Sequence, residues 1–211
     1  MSGVKAIVFD LGETLVDETR MWRIIAHEAH VPLLTFAGVL GGVIERRLPH
    51  RAVFAELGID PIDATEHGYE LETSDFYPDA IPALHALQQM GYLLGVAGNQ
   101  PPGAIQDLAG LDLPLDLIAS SETFGVEKPD PRFFEQIVAQ LGMPAASIVY
   151  VGDRLDNDVL PAQAVGMQAV FIRRGPWGYI HSSWPQIARV TYQISSLHEL
   201  PAVLGRIKAD A

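Results

Sequence analysis

Short apolar runs alternate with longer stretches of helical periodicity along most of the chain. Val4–Phe9, Tyr92–Ala97, Leu115–Ala119, Ile148–Val151 and Ala169–Ile172 are rich in Val, Ile and Leu with little polar alternation, the pattern of strands covered on both faces. Between them Ala80–Met90, Pro101–Ala109, Arg132–Leu141 and Asp156–Val165 read as helices. Pro131 is a start signal just before the third of these, and Gly91, Gly110, Gly142 and Gly166 are stop signals. This alternation predicts an α/β fold with a doubly wound parallel sheet.

Residues 17–77 break the rhythm. They carry no strand pattern, only helical stretches separated by Pro32, Pro49, Gly58 and Pro61. The expected organisation is therefore a core of residues 1–16 and 78–211, with a helical lobe, 17–77, inserted after the first strand. Such an insert sits over the carboxyl edge of the sheet, where open parallel sheets bind their ligands.

Composition narrows the class. Forty-eight per cent apolar and 19% charged residues in a chain of 211 describe one globular domain with a small insert. The absence of cysteine excludes disulfides, thiolate metal sites and a cysteine nucleophile. Fourteen Lys and Arg against 26 Asp and Glu give a net charge of −12, which repels nucleic acid and anionic membrane. A bilayer span needs roughly 20 predominantly apolar residues. The uncharged run Ala80–Gln106 is broken by His85, Gln88, Gln89, Asn99, Gln100 and Pro101-Pro102, and Val31–Ile44 is too short. Asp10 stands where a secretory leader must stay apolar. The expectation is a soluble, cytoplasmic protein that binds neither nucleic acid nor membrane.

Four motifs fall near the predicted strand ends: Phe9-Asp10-Leu11-Gly12-Glu13-Thr14-Leu15, Val96-Ala97-Gly98-Asn99-Gln100, Gly125-Val126-Glu127-Lys128-Pro129-Asp130-Pro131 and Val151-Gly152-Asp153-Arg154-Leu155-Asp156-Asn157-Asp158. Singly, each has an ordinary reading: a helix cap, a left-handed turn, a solvated lysine. Together, two separated carboxylate groups and one lysine at the ends of a single sheet can build a Mg²⁺ site beside a fixed cation. That arrangement neutralises a phosphoryl group while a carboxylate attacks it in line.

In the order of these motifs the chain resembles the haloacid dehalogenase-like superfamily over nearly its whole length. The resemblance implies Asp10 as nucleophile, Thr14 as its supporting hydroxyl and Lys128 as the lysine that steadies nucleophile and transferring group. Gly98 and Asn99 fall at the phosphate-binding motif. It also implies Mg²⁺ held by Asp10, the Gly12 carbonyl and the acidic motif of Asp153 and Asp158, with Asn157 beside the latter. The insert matches the family's small cap.

Two positions depart from the pattern. Phosphatases of the family carry a second aspartate two residues after the nucleophile, as acid and base; here that residue is Gly12. Their second motif offers a Ser or Thr hydroxyl, and Gly98 stands in its place. General acid–base catalysis contributes about 10²–10⁴-fold, so the loss at position 12 bears directly on function. Substitutes are Glu13, one residue displaced, or the cap residues His27, Glu28 and His30, otherwise a solvated helix face. Glu45-Arg46-Arg47 with Arg51 forms a basic patch within the insert, and Arg173-Arg174 with Trp177 follows the fifth strand, at the expected site entrance. No P-loop, GxGxxG or HExxH is present. The sequence thus supports a Mg²⁺-dependent phosphatase of a small phosphorylated metabolite, acting through an aspartyl-phosphate on Asp10. Its alternatives are a 2-haloacid dehalogenase, whose halide leaves without a proton, and a catalytically impaired binding protein.

Overall fold

The computed structural model describes residues 3–100 and 102–210. Met1, Ser2, Pro101 and Ala211, counted within the predicted core, lie outside the described residues; Pro101 was the expected first residue of the second helix.

Strands β1 (Ala6–Phe9), β2 (Leu93–Gly98), β3 (Leu117–Ser120), β4 (Ile148–Gly152), β5 (Gln168–Ile172) and β6 (Tyr192–Ile194) form one sheet in the order β3-β2-β1-β4-β5-β6. Every neighbouring pair is parallel. The doubly wound sheet is the one the alternation predicts. β6 is an addition that the apolar pattern missed: it is three residues long and Gln193 in its centre is exposed.

Successive residues of the central strands enter opposite halves of the core, because side chains alternate across a sheet. Ile7, Phe9, Val149, Val151, Val170 and Ile172 pack on one face; Ala6, Val8, Ile148, Tyr150, Ala169 and Phe171 pack on the other. Both faces are covered, which is why these strands read as uninterrupted apolar runs.

In the insert, α1 (Thr19–Glu28), α2 (Leu33–Glu45) and α3 (Ala52–Leu57) are followed by short 3₁₀ turns at Ala64–His67 and Thr73–Asp75. The chain leaves and re-enters side by side: Asp17 N donates to Asp75 O at 2.8 Å and Tyr77 N to Leu15 O at 2.9 Å. Between those bonds the lobe has an apolar cluster of its own, including Trp22, Ile25, Phe36, Leu40, Val53 and Phe54, closed by Trp177 from the core. Among the described residues no single helix is long and apolar enough to cross a membrane; α1 and α2 reach that length only as a pair bent by 110°.

The remaining helices are α4 (Ala80–Gln89), α5 (Pro102–Gly110), α6 (Ser121–Phe124), α7 (Pro131–Leu141), α8 (Leu160–Ala164), α9 (Gly175–His181) and α10 (Leu200–Asp210). α7 has the ends its sequence announces. The Asp130 side chain accepts from Arg132 N, Pro131 opens the first turn and Gly142 closes the helix with φ 61°. The expected helix 156–165 is instead split into a π turn over Leu155–Val159 and the short α8. Pro161 has no N–H to return to the Asn157 carbonyl, which removes the α-helical bond at that step. The wider turn buries Asn157 and Asp158.

Candidate active site

The carboxyl ends of β1, β2 and β4 lie next to one another, Phe9 being in register with Val96 and Val151. Asp10 extends this ladder by one bond, its N–H donating to Val151 O at 2.9 Å. Gly98 ends β2 and Asp153 follows β4. Lys128 arrives from the loop between α6 and α7, and Asn99 fixes that loop. The Asn99 Nδ2 donates to Lys128 O at 2.9 Å and its Oδ1 accepts from Lys128 N at 2.8 Å.

The lysine reaches Asp10. Lys128 Nζ is 2.8 Å from Asp10 Oδ1 and 2.6 Å from Asp158 Oδ1, and it donates to Tyr150 Oη at 3.1 Å. Tyr150 Oη donates in turn to Ala97 O at 2.6 Å. Asp158 spends its second oxygen on Arg154 N at 3.0 Å. The glycine of Gly152-Asp153 permits this packing, since a Cβ there would lie 2.5 Å from Asp158 Cβ. Oxygens of Asp10, Asp153 and Asp158 lie within 4.8 Å of one another, and all three residues are buried.

Electrostatics set the charge states. Burial works against the Lys128 ammonium, but Asp10 and Asp158 outweigh it and hold the lysine protonated well above its usual range. Asp153 is driven well above the carboxylate range by burial and then by Asp158 and Asp10. Asp158 is raised to about 6, burial outweighing Lys128. Asp153 Oδ2 is a buried oxygen without a hydrogen-bond partner, while its Oδ1 has only a long bond, 3.4 Å, from Thr14 Oγ1. An oxygen-only cluster whose charge exceeds that of its one lysine, with an unpartnered carboxylate oxygen, fits a hard divalent cation.

The place left by the missing side chain at position 12 is filled. A Cβ built on Gly12 would lie 2.8 Å from Glu18 Cδ, and the three atoms nearest to it all belong to the Glu18 carboxylate. Burial, then Glu13 and Asp10, push Glu18 up to about 8. The Trp22 indole N–H acts in the other direction, though it makes no hydrogen bond of ordinary geometry. Glu13 is turned aside. With φ 54° it lays its carboxylate against Gly175 and accepts from the Tyr77 hydroxyl; burial raises it to about 7.

A cleft of about 1240 Å³ opens over these groups. Asp10, Gly12, Glu18, Lys128 and Asp153 are among its lining residues, as are Trp22, His50, Arg51 and Trp177.

A family model described as haloacid dehalogenase-like hydrolase matches residues 4–166. The chain belongs to the haloacid dehalogenase-like hydrolases. The glyceraldehyde 3-phosphate phosphatase of Methanocaldococcus jannaschii is 30% identical over 98% of this chain and 100% of its own length. The Methanopyrus kandleri protein of the same name is 41% identical over 48% of this chain, which spans 45% of that relative. Among solved structures, the haloacid dehalogenase-like phosphatase of Thermococcus onnurineus shares the fold with a TM-score of 0.65 at 24% identity, covering 96% of this chain and 98% of that one. Solved 2-haloacid dehalogenases share the same fold.

Of the residues that the resemblance to these hydrolases picks out, Asp10, Lys128, Asp153 and Asp158 come together at one point. Thr14 Oγ1 donates to Asp153 Oδ1 at 3.4 Å. Asn99 has both side-chain polar atoms engaged with the Lys128 backbone, so its side chain positions the lysine. Among the suggested acids, His27, Glu28 and His30 are exposed and do not line the cleft; Glu28 pairs with His67 at 3.4 Å. The basic patch divides: Arg46 pairs with Glu56, Arg47 stacks over Trp184, and Arg51 faces the cleft. Arg174 is no entrance residue. It is buried, forked onto Asp79, and donates to Thr14 O at 3.1 Å. Sequence reasoning passed over Glu18 and Tyr150. Tyr150 lies inside an apolar strand run that carries no polar signal. Glu18 had one faint signal, an acidic residue just beyond the first motif at the entry to the insert.

Proposed function

We propose that this chain is a Mg²⁺-dependent, cytoplasmic phosphatase that hydrolyses a small phosphorylated metabolite through an aspartyl-phosphate on Asp10. The observation that carries it is the Asp10–Lys128 pair, 2.8 Å apart, beside the unpartnered Asp153 Oδ2 in the floor of the cleft. One Asp10 oxygen is engaged by Lys128; the other is the nucleophile that attacks phosphorus in line as the bond to the ester oxygen breaks. Lys128 offsets charge on the transferring group, and the backbone N–H groups following Gly98 are suited to its oxygens. Mg²⁺, held by Asp10, the Gly12 carbonyl and Asp153, supplies charge neutralisation when bound. Asp158 serves this site chiefly by holding Lys128, since both its oxygens already accept hydrogen bonds. A triose phosphate, named for the archaeal relatives, is the first substrate to try, with Arg51 available to an anionic or hydroxylated tail.

Carbon–halogen hydrolysis is the second reading, favoured by the glycine at position 12, because a halide needs no proton. It leaves the crowded Asp153 without a task. Assay of phosphomonoesters with Mg²⁺ tests the proposal. Asp10→Asn is expected to lower turnover roughly a thousandfold or more and to abolish acid-stable phosphorylation of the protein. Undiminished turnover overturns it, and halide release that persists in EDTA favours the second reading.

A further inference from the structure

Cleavage of an alkyl phosphate needs a proton for the departing oxygen and then a base for the attacking water. Position 12 cannot supply either. Among the groups at the floor of the cleft, Lys128 is bound between Asp10 and Asp158, and Glu13 faces Tyr77 and Gly175. His50, on the lobe side, is set edge-on between Trp22 and Trp177. Glu18 differs from all of these. Its carboxylate occupies the volume in which a side chain of residue 12 would begin, and it lines the cleft with Asp10 and Gly12.

Building on the phosphatase reading, we propose that Glu18, delivered from the entry of the inserted lobe, is the acid–base group of the reaction. As Asp10 bonds to phosphorus and the P–O ester bond breaks, the Glu18 carboxylic acid gives its proton to the leaving oxygen, releasing an alcohol. The resulting carboxylate then takes a proton from water as the water oxygen bonds to phosphorus. The P–O bond to Asp10 breaks, phosphate departs, and Glu18 is again protonated. A carboxylate is present at the required place although the residue two positions after the nucleophile has none. In this arrangement a side chain at residue 12 would displace the Glu18 carboxylate from its place.

The test uses the full chain with Mg²⁺, two substrates of unlike leaving group, glycerol 3-phosphate and acetyl phosphate, and acid-trapping of the phosphoenzyme. In Glu18→Gln, phosphoenzyme formation from glycerol 3-phosphate is expected to fall about 10²–10⁴-fold. Formation from acetyl phosphate, whose leaving group needs no proton, is expected to fall less than about tenfold, with the phosphoenzyme then accumulating because water lacks its base. Equal losses on both substrates, or no loss, overturn the inference while leaving the phosphatase reading in place. A wild type never phosphorylated on Asp10 removes both. The pair Gly12→Asp and Glu18→Ala guards against misfolding. Gly12→Asp in the Glu18→Ala background is expected to recover at least about tenfold in activity on glycerol 3-phosphate over Glu18→Ala alone. A double variant with an unchanged melting midpoint and no recovery overturns the inference.

Discussion

At Gly98 the missing side chain leaves room for Asp10. The sequence presents it as a lost hydroxyl. In the fold a Cβ at this position would lie 2.5 Å from Asp10 Oδ1, the same oxygen that Lys128 holds at 2.8 Å. Gly98→Ser therefore adds the hydroxyl of the family motif but is expected to push Asp10, the proposed nucleophile, away from Lys128. Turnover is expected to drop by about tenfold or more. Gly98→Ala should do the same harm, because the Cβ and not the hydroxyl is at fault. Parallel kcat measurements on the two variants check this; a Ser variant more active than wild type would show that Asp10 has room to move. Gly12 and Gly152 make the same point, each leaving room for a carboxylate from elsewhere in the chain.

At the scale of elements, the turn carrying Asp158 depends on a helix far along the chain. Leu155 N donates to His181 Nδ1 at 3.0 Å, and the imidazole stacks on Trp184 with centroids 3.8 Å apart. An acceptor nitrogen cannot also carry a proton, and burial together with nearby Arg154 lowers His181 to about 4, against the opposing pull of Asp156. The unfolded chain thus binds the proton more readily than the folded one between about pH 6.5 and 4. Stability from this group is full above that window and is lost as pH falls through it, by up to about 3 kcal/mol. His181→Phe should be less stable at pH 7, by about 1–3 kcal/mol for the orphaned Leu155 N–H. It should nevertheless lose less between pH 7 and 4 than wild type. Glu13 and Glu18, raised in the fold, act with the opposite sign in both proteins and cancel in the difference. Denaturant midpoints at several pH values check it; parallel pH profiles would contradict it.

For the molecule as a whole, the cleft joins a sheet edge to an inserted lobe, and its floor carries an excess of buried negative charge. Asp153 is the residue on which that strain concentrates. A ligand that binds only the folded state at 100 times its dissociation constant adds about 2.7 kcal/mol, which for a domain of this size raises the melting midpoint by roughly 5–10 °C. Mg²⁺ is expected to do this for wild type and not for Asp153→Asn. Without metal, Asp153→Asn should melt no lower than wild type, since it removes a carboxylate whose ionisation burial opposes. A metal-free variant that melts well below wild type, or one that keeps the Mg²⁺ shift, would contradict the assignment.

Local pattern was sufficient for much of this. Apolar runs located five strands because both sheet faces are buried, and proline and glycine placed the ends of α7 because capping is a short-range matter. The order of the motifs carrying Asp10, Lys128, Asp153 and Asp158 along the chain was enough to show the family resemblance; in the fold Asp10 and Asp153 follow β1 and β4, while Lys128 comes from the loop between α6 and α7. Three things were decided only by tertiary packing. β6 pairs at the rim of the sheet without an apolar run to announce it. Asn99 turns to the lysine loop because that backbone lies within reach of its amide. Glu18 fills the space at Gly12, because a residue six positions on, at the start of a helical insert, is brought back against the strand end by the way the lobe packs. Spacing along a chain cannot reveal that kind of proximity, for it depends on where the lobe's own core comes to rest.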